Sequence, residues 1–384
     1  MIQEKVCRGL FAAIVIAMLG VFPMYGDGAP GQPQTAEESH PAEGIWSRLS
    51  IHGFLTQAYA KGSDHQIYGI PKEGSADYRK AALQFSYAMT DKDRFVVQFG
   101  HQRQGKSPYV TEGQIDLDWG FYERRFGTET ALQVGKIQLP FGIYNELRNV
   151  GTVLPFYRIP ANVYGDKTYT NATLDGVSLF HRFNAGSDWN VEATGYVGGW
   201  NFIETLGLTS LPAEARNAVG GQVWMGTPVE GLRLGVGAQT FENVGGFRPE
   251  GYVDRSNVWI ASVDFNRDRF AWQGEYSGWY YTKGGGSTPA WYTRVGYKPT
   301  EHLQLNAQYD TRRLIAIPAG PVLGVLDGPY DRDLALGANY FFRPDVVLKG
   351  EVHHTRSFNI EEDVDYHGPL PKANYAIVSL SVSF

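Results

Sequence analysis

The last stretch of the chain, NYAIVSLSVSF at positions 374–384, alternates between apolar and polar side chains from Ala376 onward. Successive side chains of a β-strand point to opposite faces, so the segment predicts a strand with one apolar and one polar face. The apolar parity continues to the terminal Phe384, which is typical of the closing strand of a membrane barrel. On this segment alone, an ordinary final strand of a secreted all-β domain is the alternative. The apolar parity consists of Ala376, Val378, Leu380, Val382 and Phe384.

The composition also agrees with a membrane barrel. Aromatic residues make up 14% of the 384 residues, and there are 46 glycines. The mean hydropathy of −0.29 is too polar for a helical membrane protein, whereas a barrel strand needs apolar residues only at every second position. The net charge of −6 gives no global field that would attract nucleic acid, so no nucleic-acid partner is expected.

The amino terminus has the pattern of a secretory signal peptide, which we assign to residues 1–28. Lys5 and Arg8 precede an apolar run at 10–22, and small residues follow. The run is shorter than the roughly 20 residues that span a bilayer as a helix. The single cysteine, Cys7, would be removed with the signal peptide, so the mature chain is expected to contain no disulfide.

The remainder reads as a short lead-in and one large domain. Residues 29–47 are rich in Pro, Ala and Glu without periodicity, which predicts a flexible periplasmic segment. Residues 48–384 read as strand-sized segments joined alternately by short and long connections, which implies about sixteen antiparallel strands with both termini on the short-turn side. The predicted short joins are 90–93, 126–129, 184–188, 227–231, 266–268, 299–302 and 343–345, and the predicted long ones are 61–77, 105–111, 140–172, 200–217, 242–255, 283–288, 312–331 and 358–373.

Alternation inside the segments supports a barrel over a soluble sandwich. Ile115, Leu117, Trp119 and Phe121 alternate with polar residues, and we expect all four to face lipid. Many segments reach the nine to eleven residues that a tilted strand needs to cross a bilayer, according to the usual dimensions of such barrels. Aromatic residues near the segment ends suit the two headgroup levels.

The longest connection, residues 140–172, is the third of the long ones and carries many apolar residues. Such a loop would expose a large apolar surface if it extended into water. Folding inward against the barrel wall would bury these side chains. A pore through the barrel would then be narrowed at this loop.

These features resemble the sixteen-stranded porins of the Gram-negative outer membrane, in which the third external loop folds into the lumen. The resemblance rests on the strand parity, on Phe384 and on residues 135–164. It implies a homotrimer in contact with outer-membrane lipid and lipopolysaccharide, passive diffusion of small hydrophilic solutes, and a terminal Phe384 that the assembly machinery reads. The chain distantly resembles the phosphate-selective and related anion or carboxylate porins, but it has no lysine cluster in the loop, so their specificity does not carry over.

Charged residues in the loop and on the inner parity are the candidate site residues. In a narrow pore such charges attract or repel ions more strongly than on an open surface. For each of these residues, the alternative role is that of a solvated charge or of a member of a structural ion pair. The candidates are Glu146, Arg148, Arg158, Asp166 and Lys167 in the loop, and Lys80, Arg124, Arg182, Arg233, Arg294, Lys298 and Lys349 against Asp116, Asp118, Glu192, Asp264, Glu275, Asp310 and Glu351 on the wall. The two wall sets are equal in size and predict no sign of ion selectivity.

Other functions have weaker support in the sequence. His353 and His354 are adjacent and point to opposite faces of a strand, and no serine lies in a G-x-S-x-G context, so a hydrolase site is not indicated. Glu351 and His353 share a face, but two ligands make a weak metal site, and we expect neither metal nor cofactor. A barrel plugged by its third loop, acting as an adhesin or structural protein, is the remaining alternative.

Overall fold

The computed structural model describes residues 45–107, 113–165, 172–184, 189–206, 209–319 and 324–384. Sixteen strands form one closed barrel, in which each strand pairs antiparallel with its sequence neighbours and β1 also pairs with β16. The predicted sixteen-stranded barrel is thereby confirmed. The strands are β1 Leu49–Gly62, β2 Ser75–Ala88, β3 Asp93–Gln104, β4 Ile115–Phe126, β5 Thr130–Gln138, β6 Thr173–Asn184, β7 Asn190–Leu206, β8 Thr209–Gly226, β9 Leu232–Gly245, β10 Val253–Arg267, β11 Phe270–Tyr281, β12 Ala290–Tyr297, β13 Leu303–Pro318, β14 Val325–Arg343, β15 Val346–Ser357 and β16 Tyr375–Ser383.

Helical structure is confined to short segments in the described residues. Two 3-10 helices cover Ile45–Arg48 and Asn145–Leu147, and one α-helix, α1, covers Ala161–Tyr164. Within the described ranges, no helix is both long and apolar enough to cross a membrane. The predicted signal peptide at 1–28 and most of the predicted lead-in at 29–47 lie outside the described residues.

The closing strand has the two faces that its sequence predicts. Val378 and Leu380 are exposed on the outside of the barrel, whereas Ser379 and Ser381 are buried inside. The chain end completes the barrel, because the backbone of Phe384 exchanges two 3.0 Å hydrogen bonds with Gly53 on β1. A Cβ at Gly53 would lie 2.6 Å from the Phe384 ring, so glycine leaves room for the terminal aromatic side chain.

Six of the seven predicted short turns join consecutive strands, and most of the seventh, 184–188, lies outside the described residues, whereas two predicted long loops are largely strand. Residues 200–217, 312–331 and 242–255 were all predicted to be irregular, and strands occupy most of the first two ranges and half of the third. Instead, β7 and β8 stay paired up to Leu206 and Thr209, and β13 and β14 stay paired up to Pro318 and Val325. Antiparallel hairpins satisfy their own backbone hydrogen bonds, so a ladder can continue beyond the membrane.

The β4 strand corrects the predicted facing of several residues. Asp118 is an extra residue where the pairing with β3 shifts by one. A bulge of this kind reverses which parity faces inward. Trp119 and Phe121 consequently pack in the interior rather than facing lipid. Arg124 was predicted to line the lumen, but it lies on the outward parity near the short turns and pairs with Asp93 at 2.9 Å.

The outer surface carries an apolar band suited to lipid. Leu336 on β14 and Val352 on β15 are register partners in the middle of the wall, and their side chains are 52% and 55% exposed on the outer face. Alternate residues of these strands, such as Ala335 and His353, are buried inside. The exterior is thus apolar over the height that a membrane would cover.

Replacing Leu336 by arginine is expected to destabilise the barrel by about 2–4 kcal/mol in lipid vesicles, because a charge at mid-membrane depth loses its hydration. The same change at Phe342, on the same strand and face but next to the short turn, should cost about 0–1 kcal/mol. Denaturant unfolding of both variants in vesicles measures the difference. Equal costs would mean that these two positions do not differ in membrane depth.

Candidate transport pathway and inner loop

The third long connection folds into the barrel. We call residues 139–165 the inner loop. Its apolar side chains Phe141, Ile143 and Leu154 join a buried cluster with wall residues such as Phe241 and Ile260. Apolar side chains of residues 139–165 are thus buried against the barrel wall. Asp166 and Lys167, two of the predicted loop charges, lie outside the described residues.

Two lysines of the wall hold the middle of the inner loop. Lys349 Nζ donates to the carbonyl oxygens of Leu154, at 2.5 Å, and of Gly151. Lys80 Nζ lies 3.4 Å from the carbonyl oxygen of Arg148 and 3.5 Å from that of Tyr157. Both side chains are buried. Four loop carbonyls, at intervals of three residues, therefore surround two ammonium groups.

A buried carboxylate holds the start of the inner loop. Glu275 on β11 accepts hydrogen bonds from the backbone N–H of Ile143 at 2.9 Å, from Ser262 at 2.5 Å, from Tyr292 at 2.9 Å and from the hydroxyl of Tyr164. The neighbouring loop N–H, that of Gly142, donates to Gln222 Oε1 on β8 at 2.5 Å. These bonds connect the two ends of the loop to the same part of the wall.

The end of the inner loop is attached to β13 and β14. The side-chain amide of Asn162 donates to Asp310 at 2.5 Å and to Asp331 at 3.2 Å. Arg312 donates in return to the carbonyl oxygens of Asn162, at 2.5 and 3.0 Å, and of Ala161, at 3.1 Å. Asp310 is therefore a structural contact of the loop rather than a charge open to the lumen.

Two further connections, residues 63–74 between β1 and β2 (loop 1) and residues 358–374 between β15 and β16 (loop 8), pack beside this end of the inner loop. The Arg158 guanidinium lies 3.9 Å from the ring centroid of Tyr68 in loop 1, a cation–π contact. Loop 1 and loop 8 meet where His65 Nδ1 lies 2.8 Å from Glu362 Oε2. Burial raises the pKa of Glu362, but hydrogen bonds from His65 and the Gln66 N–H outweigh it, so this pKa lies below its ordinary value. The contact therefore stabilises at neutral pH and weakens as acid protonates the carboxyl.

The other wall charges form pairs on the inner face. Arg182 pairs with Glu192 at 2.8 Å, and Arg233 pairs with Asp264 at 2.8 Å. Arg294 is buried and donates to two side-chain amide oxygens of neighbouring strands, each at 2.8 Å. These groups were predicted as lumen-wall charges, and the structure places all of them on the inward parity. Each of these charged groups forms an ion pair or a hydrogen bond with a side chain of a neighbouring strand.

Two cavities border different parts of the inner loop. The charged cavity, of about 470 Å³, is bordered by β1–β7 and by residues 145–150. Its charged residues are Lys80, Asp116, Asp118, Lys136, Glu146 and Arg148. The aromatic cavity, of about 520 Å³, is bordered by β7, β9–β11, β13, β14 and residues 161–165, and it is lined mainly by aromatic and aliphatic side chains.

The structure therefore divides the predicted site residues into two groups. Asp116, Asp118, Glu146 and Arg148 come together at the charged cavity. Lys349, Glu275 and Asp310 are buried contacts of the inner loop, which corrects the expectation that they face the solute, and Lys80 takes part in both. Sequence reasoning missed the wall residues Gln222 and Asn339, which bond the inner loop, and the loop residue Asn162, which bonds the wall, because only the fold shows which of these side chains meet. No group of three or more His, Cys, Asp or Glu suited to a metal ion occurs among the described residues.

Comparison with known proteins at the sequence level found no matching family and no matching curated protein. Solved structures do match over 88% of the chain. OmpF of Salmonella typhi, in complex with daunomycin, superposes with a TM-score of 0.61 at 10% identity and 97% coverage of its own chain. The chain has the porin fold. The anion-selective porin of Comamonas acidovorans gives 0.58 at 9% identity and 99% coverage, and the outer-membrane channel DcaP of Acinetobacter baumannii gives 0.57 at 12% and 97%.

The porin fold and the apolar outer band together are those of an outer-membrane protein of a Gram-negative bacterium. At identities near 10%, the likeness extends to the fold alone. The roles of the residues that line the two cavities therefore do not carry over from these structures.

Proposed function

We propose that the protein is a porin that lets small hydrophilic solutes and ions diffuse passively across the outer membrane. The observation that carries this proposal is the charged cavity, which borders the inner loop at residues 145–150. Its lining is polar, with Lys80, Lys136 and Arg148 against Asp116, Asp118 and Glu146. A polar wall with both signs of charge can replace part of the hydration shell of a passing solute.

The inner loop sets the narrowest point of this path in our proposal. Glu146 and Arg148 line the charged cavity, whereas the apolar residues of the loop are buried in a cluster with the wall. Solute passage needs no bond chemistry, so the protein would act without enzymatic activity, metal or cofactor. The loop would determine the size limit and the wall charges would determine ion preference.

Single-channel recording in a planar bilayer tests this proposal. Purified, refolded protein is expected to give stable conductance steps, and liposomes that contain it are expected to swell in small sugars. Folded barrels that insert but conduct no current would contradict the proposal and favour a plugged adhesin or structural barrel. The bonded inner loop and its apolar cluster are the features that favour this second candidate.

A homotrimer is the proposed assembly, and the wall offers an argument for it. β3 pairs with β4 as far as Ile115, whereas the pairing of β4 with β5 stops at Gly120. Lys136 Nζ donates to the Leu117 carbonyl oxygen at 2.8 Å across the resulting gap. Lipid cannot satisfy backbone groups at such an edge, so a neighbouring copy is proposed to cover it. Conductance steps that recur in threes would support a trimer, and single steps only would contradict it.

Neutralising Asp116 and Asp118 to asparagine is expected to shift the reversal potential under a salt gradient toward anion selectivity. Three cations and one anion of the charged cavity would then remain. Fixed charges in a narrow pore act on ions more strongly than exposed ones. The control is Asp327→Asn, because Asp327 is exposed near the tip of the β13–β14 hairpin and pairs with Arg313 there. An unchanged reversal potential in the double variant would place the ion path elsewhere.

A further inference from the structure

The aromatic cavity differs from the charged one in a way that passive diffusion of ions does not require. Phe202, Phe247, Trp279 and Tyr281 line it together with aliphatic residues of β13 and β14. Its volume of about 520 Å³ lies within the range of roughly 300–1,000 Å³ that is usual for small-molecule sites. Such a lining favours a solute with an apolar body, because burial of apolar surface stabilises the bound state.

The aromatic cavity has few charged residues, and more of them are basic than acidic. Its charged lining residues are Glu204, Arg248 and Arg312. Arg248 and Glu204 neutralise each other in a two-bond contact, with Nη1 to Oε2 at 3.0 Å and Nη2 to Oε1 at 3.1 Å. Arg312 is the remaining cation of the lining.

Arg312 is held in place by the inner loop. Its Nε and Nη2 donate to backbone carbonyl oxygens of Ala161 and Asn162. Carbonyl acceptors fix the orientation of the guanidinium without cancelling its formal charge. The bonds use two of the three nitrogens, so Nη1 can still donate to an oxygen of a bound molecule.

We propose that the aromatic cavity is a binding site for an amphipathic organic anion, with an apolar ring against the aromatic side chains and an anionic group on Arg312. This inference rests on the proposed porin function and goes beyond it, because it assigns the site a preferred class of solute. The aromatic cavity contacts the inner loop at 161–165, and the same loop borders the charged cavity at 145–150, so a bound molecule is expected to change the ion current through its contact with the loop.

Three probes separate the two parts of the proposed recognition. Phenylacetate has both a ring and a carboxylate, acetate has only the carboxylate, and 2-phenylethanol has only the ring. Phenylacetate is expected to produce transient current blocks with an apparent affinity at least about tenfold higher than either of the other two, because it alone gains both apolar burial and the charge contact. Equal block by phenylacetate and acetate would overturn the proposal.

Two variants and a matched control locate the site. Phe247→Ser should weaken phenylacetate block about three- to tenfold by removing a ring from the lining. Tyr252→Ser, in the same external loop but outside the lining, should leave the block as in the unmodified protein. Arg312→Gln should abolish the preference for phenylacetate over 2-phenylethanol. If Arg312→Gln displaces the inner loop and alters conductance, the phenylacetate block in Phe247→Ser becomes the test of the site. An unchanged block in Phe247→Ser would refute the site.

Equilibrium dialysis of labelled phenylacetate against the protein in detergent separates this inference from the porin proposal. Binding that Phe247→Ser weakens, in a barrel that conducts no ions, would support the site and contradict the pore. Ion conduction without phenylacetate binding would support the pore and overturn the site.

Discussion

Replacing both Lys80 and Lys349 by methionine is expected to raise single-channel conductance by a factor of about two or more, because the narrowest part of a pore limits its current. Methionine has a similar length but cannot donate to the carbonyl oxygens of Arg148, Gly151, Leu154 and Tyr157, which the two lysines now contact. A buried carbonyl without a donor costs about 1–3 kcal/mol, so the middle of the inner loop would gain by moving into water.

The barrel wall itself should tolerate this double change. Replacing buried charges by apolar groups of similar volume is often neutral for stability, because the cost of burying the charge disappears. Lys61→Met is the matched control, since Lys61 is exposed on the outer face of β1. We expect larger and noisier currents in the double variant and unchanged currents in the control. Unchanged currents in both would mean that the two lysines do not determine the position of the inner loop.

The strand count was predictable because its signals are local. Each short turn combines polar and turn-forming residues, and the alternation in residues 374–384 fixes both faces of one strand without knowledge of any neighbour. The apolar content of residues 140–172 also predicts burial of the third connection, since a large apolar surface is rarely left exposed to water. These inferences depend only on neighbouring residues in the sequence.

The facing of β4 depended on information that the sequence does not carry locally. One extra residue at Asp118 moves Trp119 and Phe121 inside and Arg124 outside, yet the apolar alternation through this strand looks continuous in the sequence. The extended hairpins were missed for a related reason. Residues 200–217 and 312–331 lack the regular alternation of the other strands, and register shifts interrupt the pairing in both hairpins.

The roles of the wall charges required the closed barrel. Parity alone places Glu275 and Asp116 equally on the inner face, but β11 contacts the start of the inner loop whereas β4 borders the charged cavity. Position around the circumference therefore decides whether an inward charge binds the loop or faces the proposed path. The equal numbers of acids and bases predicted on the wall consequently say little about selectivity.

Changing Glu275 to alanine is expected to destabilise the barrel by at least about 3 kcal/mol, because four buried neutral donors lose their acceptor and each buried donor left unpaired costs about 1–3 kcal/mol. Ser262, Tyr164, Tyr292 and the Ile143 N–H would all lose the carboxylate. Denaturant unfolding in lipid vesicles measures the free energy of unfolding. Because the same carboxylate holds both ends of the inner loop, the variant should also conduct with a larger mean current.

The control for this change is Glu192→Ala, which removes a carboxylate from the same inner face. Glu192 pairs with Arg182, and both side chains are partly exposed, so the loss should be at most about 1 kcal/mol. Glu275→Gln should fall between the two, since an amide keeps one acceptor oxygen for the four donors. A Glu275→Ala barrel as stable as the Glu192→Ala barrel would show that the inner loop adds little to folding. The loop would then be held only by its apolar cluster, and its position would depend on packing rather than on the buried carboxylate.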